Sequence, residues 1–133
     1  VDSSKLKVKA DTDAENAQWF KINEIPALAF DHNIILVKAI DRLKAKLTYE
    51  PIGFDLLPTK FLFSELENLY CTILEKEIDR RNFRKKILSF EIIEETDQYS
   101  PTKTGRPAKL FRFNKLKYNN LIKKGFHFEI KFA

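Results

Sequence analysis

The segment Asp79-Arg80-Arg81-Asn82-Phe83-Arg84-Lys85-Lys86-Ile87-Leu88-Ser89-Phe90 carries an apolar and a cationic surface on one short stretch of backbone. A helix separates the two. At about 100° per residue, Phe83, Ile87 and Phe90 fall on one face, and Arg81, Arg84 and Lys85 fall away from it. Asp79 is placed to cap this helix. Ile78 before the cap and Phe83 four residues after it make a hydrophobic staple. With the apolar side chains docked on a core, the cations project outward. Leu88 is the misfit, because it falls within the basic face; the expectation is that it packs beneath the hairpin that follows.

Outward from this helix the signals on both sides agree. Upstream, Phe61-Leu62-Phe63 leads into Ser64-Glu65-Leu66-Glu67, where Ser64 and Glu67 have the spacing of a capping box. The helix behind it carries Leu66, Leu69, Tyr70, Ile73 and Leu74 as one apolar stripe. Two helices joined by a short turn, here Glu75-Lys76-Glu77, are the unit of a helix-turn-helix. Downstream, Ile92 to Tyr99 is rich in β-formers, Ser100 to Pro107 is a turn-rich loop, and Leu110-Phe111-Arg112-Phe113 is a second strand. A last helix is expected over about Lys115 to Lys124, stopped by Gly125. Phe126 to Phe132 alternates apolar and polar residues, the pattern of a half-buried strand.

The helix and the hairpin tip supply chemistry of one kind. Arg80 and Asn82 flank the cationic face near the helix N-terminus, where a recognition helix enters the major groove. Arginine can hold guanine O6 and N7 with two parallel hydrogen bonds, and asparagine can do the same for adenine N6 and N7. The helix N-terminus also offers N–H groups and a positive dipole end to a phosphate. At the hairpin tip, Thr102-Lys103-Thr104-Gly105-Arg106-Pro107 presents Arg106 at the end of a loop, suited to a narrow minor groove. Arg80, Arg81, Asn82, Arg84 and Lys85 on the helix, with Lys103, Thr104, Gly105 and Arg106 on the wing, are the expected duplex contacts. A basic helix face alone is most often plain solvated surface. Here it is joined by a capped partner helix and a basic wing.

The first third of the chain is different. Residues 1–18 are polar, Trp19-Phe20-Lys21-Ile22 reads as a short strand, and Pro26 interrupts any helix before it. Asp31 can cap a helix from about His32 to Leu47, with Ile35, Leu36, Ala39, Ile40, Leu43 and Leu47 at helical spacing. Pro51 and Gly53 then punctuate the chain.

Composition bounds the alternatives. The chain of 133 residues, 44% of them apolar, is long enough for one compact domain with a remnant of another. Its apolar runs are too short to cross a bilayer and no signal peptide is read, so a cytoplasmic, nucleoid-associated protein is expected. The net charge of +5 favours a polyanionic partner. Cys71 stands alone, His32 and His127 have no ligand at metal-binding spacing, and Glu94-Glu95 is too little for metal-assisted hydrolysis. Three glycines leave no phosphate-cradling loop. Neither catalysis nor a cofactor or metal is expected. The chain opens on Val1 and holds no methionine, which makes an excised piece of a longer protein an expectation.

The residues also resemble a family. Trp19-Phe20, Ile25-Pro26, Leu28-Ala29-Phe30-Asp31-His32 and Leu43-Lys44-Ala45-Lys46-Leu47 are similar to the end of a Nudix-type domain. Tyr49-Glu50-Pro51-Ile52-Gly53-Phe54-Asp55-Leu56-Leu57-Pro58 looks like its junction with a winged helix. Phe61, Ser64-Glu65-Leu66, Leu69-Tyr70, Asp79 to Lys86 and Gly105-Arg106-Pro107-Ala108 complete the resemblance to the Nudix-related transcriptional regulators, the NrtR family. It implies a homodimeric bacterial repressor or activator, whose Nudix-like sensor domain is usually inactive as a hydrolase. That domain binds a small-molecule effector, ADP-ribose or a sugar-derived compound such as arabinose. The Nudix box is absent from this sequence, so no residue here is assigned to the effector. Where the family often has a glycine in the inter-helix turn, this chain has Glu75-Lys76-Glu77, and a positive φ there would carry a steric penalty.

The fold class expected is α+β: a winged helix-turn-helix over residues 49–133, preceded over residues 1–48 by the C-terminal remnant of a Nudix-like domain, including its last helix. The expected function is sequence-specific binding of double-stranded operator DNA by a transcriptional regulator that is no enzyme and needs no membrane. The alternatives are a winged-helix protein-interaction module and a piece of an active Nudix hydrolase. RNA binding is disfavoured, because no exposed aromatic platform for unstacked bases is evident.

Overall fold

A computed structural model describes residues 7–11, 15–100 and 105–132. The chain divides into two compact units, residues 1–39 and 40–133. In the first, the expected strand is replaced by a 3₁₀ turn, Ile22–Glu24, with Trp19, Phe20 and Ile22 exposed. A strand persists only where a neighbour completes its hydrogen bonds, and among the described residues no partner strand is offered. Helix α1, His32–Tyr49, then starts where the sequence places it. The Asp31 carbonyl accepts from the Ile34 and Ile35 N–H groups, and the Leu28 N–H donates to Asn33 Oδ1 at 3.3 Å. The division between units falls inside this helix. Of its expected apolar stripe, only Leu47 is buried; Ile35 and Leu43 remain exposed.

The second unit is built around the last turns of α1. A 3₁₀ turn at Ile52–Leu56 seats Phe54, whose ring stacks on Phe113 at 4.5 Å between centroids. Helix α2 spans Phe63–Leu74 and α3 spans Arg80–Ser89. Strands β1, Ile93–Ser100, and β2, Ala108–Phe113, pair antiparallel in the expected hairpin, with Ile93 opposite Phe113. Phe61 adds a bridge to Phe111 through two backbone hydrogen bonds of 2.9 and 2.7 Å. Helix α4, Lys115–Lys123, is capped by Asn114 Oδ1. It ends in a Schellman motif: the Phe126 N–H donates to the Leu121 carbonyl and the Gly125 N–H to that of Ile122, with Gly125 at φ +87°.

Two local expectations are corrected. Helix α2 begins at Phe63, so Leu62, not Ser64, is its N-cap, and the carboxylate that reaches back is Glu65, accepting from the Leu62 N–H at 2.8 Å. The earlier start places both Phe63 and Leu66 in the core, which outweighs a hydroxyl cap. Residues 126–132 keep the alternating burial, with Phe128 and Ile130 buried and their neighbours outward, yet form no ladder. The segment is tied by the Ile130 N–H to the Thr48 carbonyl at 2.8 Å. Alternation reports a half-buried extended chain; it does not report a pairing edge.

The core runs from Leu47 through Tyr70 to Phe83 and Ile87. Tyr70 is fully buried and donates its hydroxyl to the Leu47 carbonyl at 3.3 Å; burial pushes its phenol well above the ordinary range. The α2–α3 turn reverses at Glu75, which sits at φ 54°, ψ 37°. The positive φ expected as a penalty is therefore present, on a residue whose carboxylate pairs with Lys44 Nζ at 2.9 Å.

Candidate nucleic-acid interface

Helix α3 is fixed from its N-terminus. Asp79 Oδ1 accepts from the Asn82 N–H at 3.1 Å, and Asp79 Oδ2 accepts from Asn82 Nδ2 at 2.6 Å. Ile78 is half-buried against the core cluster that includes Phe83, the side on which a staple would place it. The Phe83 ring lies 4.8 Å from that of Tyr70, and Ile87 is fully buried. Phe90 is half-buried between Phe126 and Phe128, at 5.4 and 5.0 Å. These anchors settle the orientation of the helix, and the opposite face is left to solvent.

The cations divide by what they touch. Arg81 and Lys85 are exposed, with no ion pair or side-chain hydrogen bond among the described residues. Arg84 is exposed but seated, its guanidinium 4.7 Å from the Phe63 ring centroid and 5.9 Å from that of Phe111. That aromatic seat is invisible in α3 itself, because the rings come from α2 and β2. Arg80 is turned back onto α2, donating to Glu67 Oε2 at 2.9 Å and to Asn68 Oδ1 at 3.1 Å. Asn82 gives one amide N–H to Asp79, which leaves the second N–H and Oδ1 for the edge of a base. Leu88, within the cationic face, is 40% exposed, so it is not fully covered.

The wing is a hairpin with neutralised acids. Glu94 lies opposite Arg112 in the register and accepts from its Nε at 3.0 Å and from Asn114 Nδ2 at 2.7 Å. The Asn114 and then the Arg112 hydrogen bonds hold the Glu94 carboxyl below the ordinary range. Glu95 pairs with Lys109 Nζ at 3.4 Å. The register shifts between Glu95 and Tyr99, where Thr96 Oγ1 reaches the Leu110 carbonyl at 2.9 Å. Cross-strand pairing thus removes much of the negative charge that would repel a polyanion. Gly105, at φ +92°, and Arg106 are both exposed at the tip. Lys103 and Thr104 lie outside the described residues.

Two helices at a short turn, an outward cationic face on the second and an antiparallel wing after it define a winged helix-turn-helix domain, a class built around DNA recognition. Residues 53–113 match the model of the NrtR DNA-binding winged helix domain. Over 102 residues, 75% of the chain, it is 35% identical to the ADPR responsive transcriptional repressor NtrR of Acinetobacter baylyi. The chain spans 40% of the length of that relative. The fold also matches Shewanella oneidensis NrtR complexed with a 27mer DNA, with a TM-score of 0.62, 24% identity, and 79% of this chain against 46% of that one covered. A second structure of Shewanella oneidensis NrtR matches with a TM-score of 0.57 and 30% identity, over 65% of this chain and 39% of that one. Among the described residues, no helix is long and apolar enough to cross a membrane.

Proposed function

We propose that this chain is the DNA-binding part of a transcriptional regulator, which reads operator DNA with α3 and steadies itself on the backbone or minor groove with its wing. The observation that carries this reading is the helix held inward by Phe83 and Ile87 with Arg81 and Lys85 outward. Arg81, Arg84 and Lys85 are the principal contacts from the helix, and Lys103, Thr104, Gly105 and Arg106 those from the wing. Asn82 contributes its second amide N–H and its Oδ1. Arg80, which sequence places beside these, serves through Glu67 and Asn68 as a strut between α2 and α3. The description of the matching family and the solved relative with bound DNA support this assignment.

In the whole protein, residues 1–48 close a Nudix-like domain and residues 49–133 form the winged helix. That regulator acts as a homodimer in the cytoplasm, represses transcription, and has no hydrolase activity. ADP-ribose is the proposed effector, on the strength of the ADPR-responsive relative. The test is selection of bound duplexes from a random pool, followed by binding across a salt series. The expected outcome is a preferred sequence, bound with an affinity that falls linearly on log–log axes with a slope of about −0.9 per phosphate neutralised. Equal binding to scrambled duplex, or tight binding only to an acidic protein, overturns the reading.

A further inference from the structure

We infer that Leu88 is a specificity-determining residue that contacts the C5-methyl group of a thymine, an assignment that rests on the duplex-binding reading above. Arg81, Lys85 and Leu88 stand at i, i+4 and i+7, so they form one stripe along α3, opposite the anchors Phe83 and Ile87. Ser89, beside this stripe, turns its hydroxyl back to the Lys86 carbonyl at 2.6 Å. Leu88 is thus the apolar member of an otherwise cationic stripe, and it is 40% exposed.

The surroundings select the partner. Arg84 and Lys85 stand four and three residues before Leu88 on α3, so its neighbours along the helix are cations rather than an apolar surface that invites a protein. They draw a polyanion instead. Within a polyanionic duplex, the major-groove floor displays one apolar group, the thymine methyl, and aliphatic side chains read it by contact. The distance from Arg81 to Leu88 along the helix is about 10 Å, at 1.5 Å per residue. At 3.4 Å per base step, the thymine lies at most about three base pairs from the contact made by Arg81, the limit for a helix parallel to the duplex axis.

The experiment uses the full chain and the preferred duplex obtained by selection. Each thymine of a half-site is replaced in turn by deoxyuridine, which deletes only the methyl group. One position is expected to weaken wild-type binding by about threefold to fivefold, the worth of one buried methyl group. Leu88→Ala, which should melt at the wild-type temperature because the side chain is exposed, is expected to bind the thymine duplex with a similar loss. It should be indifferent to uracil at that position. Wild type and Leu88→Ala responding alike at every position, or neither responding at any, overturns the assignment while leaving duplex binding intact. A chain that selects no preferred duplex sinks both this assignment and the reading beneath it.

Discussion

Arg80 at the start of α3 donates to Glu67 of α2 at 2.9 Å, and the pair is asymmetric: the Glu67 side chain is 11% exposed, the Arg80 side chain 52%. Glu67 faces away from the solvent that would otherwise hydrate it, so its carboxylate relies on this partner. The contact crosses the helix-turn-helix at the point where the angle between its helices is set. A cation that lies in sequence among the proposed duplex contacts is, in space, tied to the neighbouring helix.

Removing the strut should therefore register as stability before it registers as charge. Arg80→Ala is expected to lower unfolding stability by about 1–2 kcal/mol, above an exposed pair and below a fully buried one. Urea unfolding measures this directly. Salt-series binding supplies the second readout: the log–log slope should stay at its wild-type value for Arg80→Ala and shrink by about 0.9 for Lys85→Ala if Lys85 neutralises one phosphate. A slope reduced equally by both would make Arg80 a phosphate contact.

The guanidinium of Arg84 rests over Phe63 and Phe111, which holds a flexible side chain in place before any ligand arrives. Arg84→Ala is expected to cost about 1–3 kcal/mol of operator affinity if the group reads a base. Arg84→Lys should recover little of this, because an ammonium has neither the planar fork nor the same stacking on a ring. Competition gel shifts with operator and scrambled duplex decide it. Wild-type preference in Arg84→Lys would show that only the charge of this residue matters.

What was legible in the sequence follows from which interactions are local. The Asp79 cap, the core side of Ile78 and the inward face of Phe83 and Ile87 all lie within one or two helical turns, so spacing alone specifies them. The hairpin and the Gly125 stop were legible for the same reason. The start of α2 was not, because the burial of Phe63 depends on rings from α3 and β2 that no local pattern contains. The same blindness hid the bond from Arg80 to Glu67, 13 residues away, and the seat of Arg84. Residues 19–22 showed β-forming composition without a neighbouring strand, and composition supplies no partner.

Acid should act on the wing through Glu94. The Asn114 and Arg112 hydrogen bonds depress its folded-state pKa, so the folded chain binds that proton less readily than the unfolded chain. Its contribution to stability is then present above the unfolded carboxylate pKa and is lost as pH falls through the depressed folded value. Melting temperatures of wild type and Glu94→Gln should differ at neutral pH, with wild type the higher. The gap should narrow below the ordinary carboxylate range. A gap that is constant from neutral pH into strong acid would mean that Glu94 titrates alike in both states.

Two glycines should fail for different reasons when a side chain is added. At Gly53 a Cβ would lie 3.1 Å from Tyr70 Cε2, 3.5 Å from Leu69 and 3.6 Å from Leu47. Tyr70 has little room to yield, since its ring is 4.8 Å from that of Phe83 and its hydroxyl is bonded to the Leu47 carbonyl. Gly53→Ala should therefore overpack the core and destabilise by about 1–3 kcal/mol. Gly125 has open space about it but sits at φ +87°, so Gly125→Ala meets backbone strain alone, about 1–2 kcal/mol. Asparagine separates the two. It tolerates the left-handed region, so Gly125→Asn should recover part of the loss, while Gly53→Asn, bulkier still, should be worse than Gly53→Ala. Urea midpoints of the four variants, with unchanged m-values, give the comparison. Recovery by asparagine at Gly53 would show that the contact with Tyr70 is looser than 3.1 Å implies.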